Sequence, residues 1–244
     1  MKKLVFALAL ILIWLPSSSE AATVSRSYNW AGYAQKAGSY TSVSAGWTVV
    51  PGTDTVHTFS ANAAWIGIGG LDGSKNLIQA GTRTMKWNGK ITYRAWYELI
   101  PAPPVNLSLV VSPGDEVNSS ITEIVPGMWK ISFDNLTTGE STSVSVPYAS
   151  NKASAEWIVE RPSTGTGLVA LTPFSQFTFS SLAAAQNGKA VTPVTAAAKK
   201  LLLIEKNGTP LLTPSVVGLN GTSFTVTARS SGIAGILGTQ VRAL

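Results

Sequence analysis

The sequence predicts an all-β protein whose antiparallel strands pack as a sandwich or jelly roll. Composition is the first indication: 12% of the 244 residues are charged, about half the roughly 25% typical of globular proteins, and 22 residues are glycine and 13 proline. The second indication is a series of short runs rich in β-branched and aromatic residues, each closed by Gly, Pro or Asn, which is typical of strands and tight turns. Many such runs at short spacing favour a sandwich or jelly roll.

The strands are predicted in chain order from these runs. They cover residues 47–50, 77–79, 90–97, 107–111, 128–133, 142–146, 155–159 and 223–228. The run at 77–79 is expected to end at Ala80-Gly81. Residues 183–186 and 194–203 are each expected to hold a turn or a short helix, although neither sustains a helical period beyond three turns. No repeat or linker divides the chain, so one domain is expected over residues 23–244.

The N-terminus has the pattern of a secretory signal peptide. Lys2 and Lys3 precede an apolar run over residues 4–15, and the small residues Ser19 and Ala21 follow it. A membrane anchor is the alternative, but the run is short for a span that needs roughly 20 apolar residues. We therefore expect residues 1–22 to be removed and the mature protein to be secreted, with no stable membrane association.

Several classes of chemistry are excluded by residues that the chain lacks. It has no cysteine, which excludes disulfides, thiolate nucleophiles and sulfur-ligated metals. Its single histidine, His57, excludes the zinc-protease helix motif, which needs two. No Asp-Thr-Gly or Asp-Ser-Gly turn and no Gly-x-Ser-x-Gly elbow is present. No metal or other cofactor is expected, beyond adventitious calcium at Asp72 or Asp115.

The net charge of +6 does not predict a nucleic-acid partner. Basic residues are scattered along the mature chain, and Lys199-Lys200 is their single doublet. A nucleic-acid site instead clusters its lysines and arginines on one face. We expect a solvated surface and a monomeric protein.

Two predicted strands carry polar groups among apolar neighbours. Alternation places Arg94, Trp96 and Glu98 on one face of their strand, because successive side chains of a strand point to opposite faces. In the run at 77–79, Gln79 shares a face with Leu77. Composition alone favours the interpretation that Glu98 is an exposed residue of the outer face.

A third strand carries two acids on one face. Glu156 and Glu160 alternate with Trp157 and Val159, which are expected to face the core. Composition alone favours an exposed position on the outer face for Glu160 as well. The other acids lie beside Gly, Pro, Asn or Ser, where turn-stabilising or solvated roles are expected.

Six motifs occur in a fixed order along the chain. They are Tyr-Asn-Trp-Ala-Gly-Tyr at 28–33, Trp-Ile-Gly-Ile-Gly-Gly at 65–70, Leu-Ile-Gln-Ala-Gly at 77–81, Trp-Tyr-Glu at 96–98 followed by Pro101, Ile-Ser-Phe-Asp-Asn at 131–135, and Ala-Glu-Trp-Ile-Val-Glu at 155–160. Together they resemble the eqolisin family of glutamic peptidases. The resemblance runs from about residue 27 to 162 and continues more loosely through the strand at 223–226. The absent cysteines and the short precursor favour a prokaryotic member.

The resemblance implies a fold, an activity and a set of site residues. The fold is a concanavalin-A-like jelly roll of two packed, roughly seven-stranded antiparallel sheets, with the substrate groove on the concave face of one sheet. The activity is acid-acting, pepstatin-insensitive endopeptidase hydrolysis of polypeptide substrates. The catalytic dyad falls on Gln79 and Glu160, with Trp96 and Glu98 as supporting residues and Trp30 as an aromatic residue of the groove.

This dyad is chemically coherent. A glutamate, with an ordinary pKa of about 4.3, serves as base and then as acid in mildly acidic water. The amide of Gln79 stays neutral, so its NH₂ group can stabilise an oxyanion while its carbonyl helps to hold the water. The neighbouring Glu98 is expected to keep one carboxyl of the pair protonated by like-charge repulsion.

Three positions depart from the family pattern. Gly69-Gly70 occupies the loop in which fungal members carry an Asp. Arg94 lies close to the position at which they carry another acid, and Ile100 occupies a position where an aromatic residue is common. The loss of two acids near the groove is expected to shift the pH optimum upward and to alter subsite preference.

Two other functions remain open at this point. One is a retaining glycoside hydrolase that pairs Glu98 with Glu160, whose carboxyl groups would then lie about 5–5.5 Å apart. The other is a non-catalytic carbohydrate-binding sandwich, which the eight tryptophans would suit. Gln79 separates these hypotheses, because the peptidase requires it and the other two give it no role.

Overall fold

The computed structural model describes residues 23–229, except residues 37, 196, 219 and 220. The predicted signal peptide, residues 1–22, lies outside the described residues. Within the described part of the chain there is no helix with the length and apolarity needed to cross a membrane.

Strands dominate the described residues, with a single 3₁₀ turn at Leu71–Gly73. The first strands in chain order are β1 Thr23–Ser27, β2 Trp30–Lys36, β3 Tyr40–Thr48, β4 Phe59–Ile68, β5 Ile78–Trp87, β6 Lys90–Leu99, β7 Val105–Asn106, β8 Glu116–Val125, β9 Met128–Asn135 and β10 Glu140–Pro147. The remaining strands are β11 Ser154–Glu160, β12 Ser163–Thr164, β13 Gly167–Leu168, β14 Ala170–Leu171, β15 Gln176–Gln186, β16 Lys189–Val191, β17 Lys199–Ile204, β18 Pro210–Pro214 and β19 Phe224–Ala228.

The strands form two layers. Pairing runs through β7, β6, β5, β4, β11, β2, β17 and β1 in the first layer, and through β10, β9, β8, β3, β15, β19 and β18 in the second. Strand β17 also pairs with β18, so 17 strands belong to one hydrogen-bonded network. The predicted all-β antiparallel sandwich is confirmed, but these pairings give eight strands in the first layer and seven in the second, and the two layers are joined rather than separate.

The main core lies between the layers. Ile66, Ala95 and Trp157 from the first layer belong to the same buried cluster as Trp47 and Phe133 from the second. The first layer buries a second, smaller cluster on its opposite face, which contains Ala63, Trp65, Leu77, Trp96 and Ile158 among others. Because apolar residues are buried on both faces of the first layer, its central strands contain nearly continuous runs of hydrophobic residues. We call the face of the second cluster the cleft face.

Some expected elements were wrong. Residues 183–186 lie in β15 and residues 199–203 lie in β17, so neither stretch is helical, although Ala198 closes a turn by donating its N–H to the Thr195 carbonyl. Both stretches gain partners across the sheet, which override a weak local helical tendency. Residues 107–111 form no strand, yet bury Leu107, Leu109 and Val111 in the core.

Candidate active site

Three neighbouring strands of the first layer carry the predicted site. Strand β4 lies between β5, which carries Gln79, and β11, which carries Glu160. Strand β6 follows β5 and places Glu98 directly opposite Gln79. The alternation predicted from the sequence holds, because Leu77, Trp96 and Ile158 lie in the cleft-face cluster while their strand neighbours enter the main core.

All five predicted site residues line one cleft of about 540 Å³. They are Trp30, Gln79, Trp96, Glu98 and Glu160. Gln79 pairs with Gly67 of β4 whereas Glu160 pairs with Ala63, four residues away along that strand. The amide and the carboxyl group therefore enter the same cleft from positions that are offset along β4.

Gln79 is held by Glu98 and keeps an unused acceptor. It is 4% exposed, and its Nε2 donates a hydrogen bond of 2.6 Å to Glu98 Oε2. Its Oε1 is buried without a hydrogen-bond partner. An unpaired buried carbonyl costs stability unless water or a ligand satisfies it, so this oxygen is available to hold a reactant.

Glu160 has an environment that favours its protonated form. Burial, and secondarily the charge of Glu98, raises the pKa of Glu160 to about 7. The indole N–H of Trp65 donates to Glu160 Oε2 at 2.7 Å and offsets part of this rise. Burial also raises the pKa of Glu98, and the hydrogen bond from Gln79 partly opposes that rise. The two carboxyl groups therefore hold a proton more strongly than isolated glutamates do.

Trp65 was not singled out as a site residue by the sequence. Its motif was recognised, but nothing in the local pattern shows that its indole reaches β11. Trp65 also packs edge-on against Trp30, with ring centroids 5.1 Å apart. The indole N–H of Trp30 lies near enough to Glu160 to lower its pKa as well, whereas the indole N–H of Trp96 is buried without a hydrogen-bond partner.

Gly81 allows two strands of the cleft floor to approach each other closely. A Cβ atom on Gly81 would lie 2.1 Å from the Ala64 carbonyl oxygen and 2.6 Å from Trp65 Cβ. Gly81 is therefore the position at which β5 closely approaches β4 beneath the tryptophans. It does not end the strand as expected, because β5 continues to Trp87.

The substituted family positions lie where they alter the cleft. Gly69 has a φ of +105°, and a Cβ there would lie 2.6 Å from the Asn76 carbonyl oxygen, so an aspartate does not fit this backbone. Arg94 stands directly across from Arg83, which lines the cleft. Ile100 lines the cleft as well. The end of the cleft near Arg83 is thus cationic rather than acidic.

Glu156, the acid not selected from the sequence, is fully buried outside the cleft lining. Neither carboxyl oxygen has a hydrogen bond of acceptable geometry, although the Ser154 hydroxyl and the N–H groups of residues 69–71 lie near enough to lower its pKa in part. Burial is the larger effect and raises the pKa of Glu156 to about 8.

This burial predicts a pH-dependent stability. Below pH 4.5 the carboxyl is protonated in both states; as the pH rises, the unfolded state ionises first, so the folded state loses stability until about pH 8. The free energy of unfolding is expected to fall between pH 5 and 8, by up to about 1.4 kcal/mol per pH unit, and the melting temperature should fall with it. The Glu156→Gln variant should be more stable than the wild type at pH 8. Its free energy of unfolding should depend less on pH, and the remaining dependence should come mainly from Glu160. Exposed Glu140→Gln is the matched control, and an unchanged slope in Glu156→Gln would contradict the assignment.

Comparison with known proteins decides the family. Residues 28–228 match the family model described as the peptidase A4 family. This chain belongs to the peptidase A4 family. The eqolisin resemblance read from the six motifs is therefore confirmed.

Relatives of this A4 family protein include characterised peptidases. Aspergillopepsin-2 of Aspergillus niger is 32% identical over 172 residues, which make up 68% of this chain and 58% of the relative. Scytalidopepsin B of Scytalidium lignicola is 33% identical over 106 residues, which make up 41% of this chain and 40% of the relative. The matches thus span less than two thirds of the length of these relatives.

Solved structures confirm the A4 family fold. Scytalido-glutamic peptidase, crystallised with a transition state analog inhibitor, superposes with a TM-score of 0.71 at 26% identity, covering 83% of this chain and 98% of that one. Aspergilloglutamic peptidase from Aspergillus niger gives a TM-score of 0.61 at 30% identity, covering 70% of this chain and 99% of that one.

Proposed function

We propose that this protein is a secreted glutamic endopeptidase that hydrolyses polypeptides with Gln79 and Glu160. The observation that carries the proposal is the shared cleft, which is lined by a buried amide with an unpaired carbonyl and by a carboxyl group whose pKa is about 7. Family membership and relatives named as peptidases support the reaction class. The predicted signal peptide supports secretion.

The proposed mechanism uses the chain's own side chains. Gln79 Oε1 and ionised Glu160 hold a water molecule, and Glu160 takes one of its protons as the water oxygen attacks the peptide carbonyl carbon. The Nε2 hydrogen not bound to Glu98 stabilises the oxyanion of the tetrahedral intermediate. Glu160 then gives the proton to the amide nitrogen as the C–N bond breaks, which releases an amine and a carboxylic acid.

Digestion of an unfolded protein across pH 2 to 8 tests the activity. Mass spectrometry of the products should show internal cleavages, and neither pepstatin nor a chelator should prevent them. If the protein substrate stays intact and a polysaccharide is hydrolysed, the proposal is overturned in favour of a glycoside hydrolase that uses Glu98 and Glu160.

The carboxyl pair predicts the upper limit of the pH profile. Glu98 and Glu160 titrate as a coupled pair, and in the reacting form with one proton Glu98 carries it while ionised Glu160 is the base. We expect kcat/KM to fall above pH about 7, where the pair loses this last proton and a second negative charge lies near the developing oxyanion. A rate that stays constant up to pH 9 would contradict this assignment.

Glu98→Gln tests the coupling directly. It removes the negative charge that raises the pKa of Glu160, so that pKa should decrease, although burial keeps it above the ordinary value. Carboxyl-carbon NMR titration of Glu160 measures the shift independently of activity. Glu140→Gln serves as the control, because Glu140 is exposed and lies on β10 in the other layer.

A further inference from the structure

Arg83 is a cationic group of the cleft without an acidic partner. It lines the cleft on β5, and its Nη2 donates to Asn106 Oδ1 at 3.0 Å. Its Nε is buried and has no hydrogen-bond partner. None of the ion pairs found within residues 23–229 includes it. A buried donor on a charged group that lacks a partner costs free energy, which an anionic ligand would recover.

The surroundings of Arg83 increase its demand for an anion. Arg94 lies directly across on β6, and burial together with the charge of Arg94 lowers the pKa of Arg83. On the other side, Arg83 pairs with Ala63 of β4, and Ala63 pairs with Glu160 of β11. Glu160 is thus the nearest acid in this row of the sheet, and it lies two strands away.

The position of Arg83 relative to the dyad suits a substrate side chain. Arg83 lies four residues, or roughly 13 Å, from Gln79 along β5, and two strands, or roughly 10 Å, from Glu160, and an extended peptide covers either span in about three or four residues. The intervening cleft-face position is Gly81, where β5 packs closely against β4, so no side chain of β5 stands between Gln79 and Arg83. Phe59 and Met85 line the same cleft and offer apolar contact to the methylene groups of a bound residue.

We propose that Arg83, with Arg94 beside it, forms a subsite that binds a carboxylate of the substrate polypeptide a few residues from the scissile bond. This proposal deepens the proposed function and rests on it, because the bound polypeptide is a substrate only if the protein is a peptidase. Either an internal Asp or Glu side chain or the C-terminal carboxylate supplies the required chemistry. Fixed cations at one end of a cleft also select the register in which a peptide lies over the dyad.

Binding to a hydrolytically disabled protein separates this inference from the proposed function. A set of labelled decapeptides is prepared with amidated C-termini and no other charge, and each peptide carries one Glu, or one Gln for comparison, at a different position. Their binding to the Glu160→Gln variant is measured by fluorescence anisotropy. At the responding position, Glu should bind about tenfold more tightly than Gln, as expected for one hydrogen bond to a charged group. A neutral peptide with a free C-terminus distinguishes the terminal carboxylate as the source.

Substitutions assign the preference to Arg83. Adding Arg83→Gln should reduce the preference to less than about twofold, and Arg83→Lys should retain part of it. Arg26→Gln is the matched control, since Arg26 is exposed on β1, away from the cleft lining. Equal affinity for Glu and Gln peptides at every position, or a preference that survives in Arg83→Gln, overturns the inference.

The pH dependence gives a second, independent readout. A peptide glutamate becomes neutral below its pKa of about 4.3, so the preference should vanish below pH 4, whereas a cysteic acid residue stays anionic and should keep it. If wild-type protein cleaves none of the peptides but the Arg83-dependent preference is present, the subsite stands and the peptidase proposal fails. If cleavage occurs without that preference, the subsite fails alone.

Discussion

Glu160→Gln is expected to lower kcat for peptide hydrolysis by about 10³–10⁴-fold, because the amide can neither accept the proton of water nor return it to the leaving amine. Gln79→Ala is expected to lower kcat by about 10²–10³-fold through loss of an oxyanion donor. Both effects should fall on kcat more than on KM, since neither group is needed to hold the substrate backbone in the ground state.

Matched variants and the double variant make this prediction sharp. Glu140→Gln and Gln176→Ala remove the same functional groups at exposed positions and should retain wild-type rates. The double variant Gln79→Ala with Glu160→Gln should be little slower than Glu160→Gln alone, because the two groups act on one water molecule. Normal protein digestion by either single variant, with an unchanged melting temperature, would refute the dyad.

Gly81→Ala is expected to cause a large loss of stability through a clash between two strands of the cleft floor. The added Cβ would lie 2.1 Å from the Ala64 carbonyl oxygen, a distance that real Cβ atoms do not reach, so β4 and β5 must separate. We expect the free energy of unfolding to decrease by roughly 3 kcal/mol or more, near the upper end for overpacked sites. The melting temperature should then fall by about 10 °C, which differential scanning calorimetry measures.

The control for this substitution is Gly165→Ala. A Cβ on Gly165 meets no atom within 4 Å, and its backbone has no positive φ, so stability should change little. Gly81→Ala should also weaken activity, because Trp65, whose Cβ would be 2.6 Å from the new methyl group, positions the carboxyl group of Glu160. A Gly81→Ala protein as stable as Gly165→Ala would show that the two strands adjust at no cost.

Alternation along single strands was sufficient to place the site residues on their faces. The assignment of Arg94, Trp96 and Glu98 to one side of β6 needed only the twofold period of a strand. The structure agrees with it, because Trp96 and Glu98 line the cleft and Arg94 pairs with Arg83, which also lines it. The assignment of Gln79 depended on the family resemblance as well, since an isolated glutamine in a strand has no chemical signature. Its role in catalysis remains a prediction that the variants above test.

Sequence patterns within single strands could not predict the contacts between strands. The hydrogen bond from Trp65 to Glu160 joins β4 to β11, and the opposition of Arg83 and Arg94 depends on the register of β5 and β6. Gly81 was expected to end a strand because glycine usually does so, whereas here it allows a close backbone approach. Residues 183–186 have helix-forming alanines but pair with β3 as part of β15. Tertiary pairing decided each of these cases.

The position of β4 between β5 and β11 has a consequence for biosynthesis. Gln79 and Glu160 are 81 residues apart in the sequence (160 − 79), and closing so long a loop costs conformational entropy that only later contacts repay. A ribosome-bound chain that ends before β11 already has the amide but lacks the carboxyl group. On the proposed mechanism, a chain that ends before β11 therefore cannot hydrolyse peptide bonds, and this capacity is gained only once β11 has paired with β4.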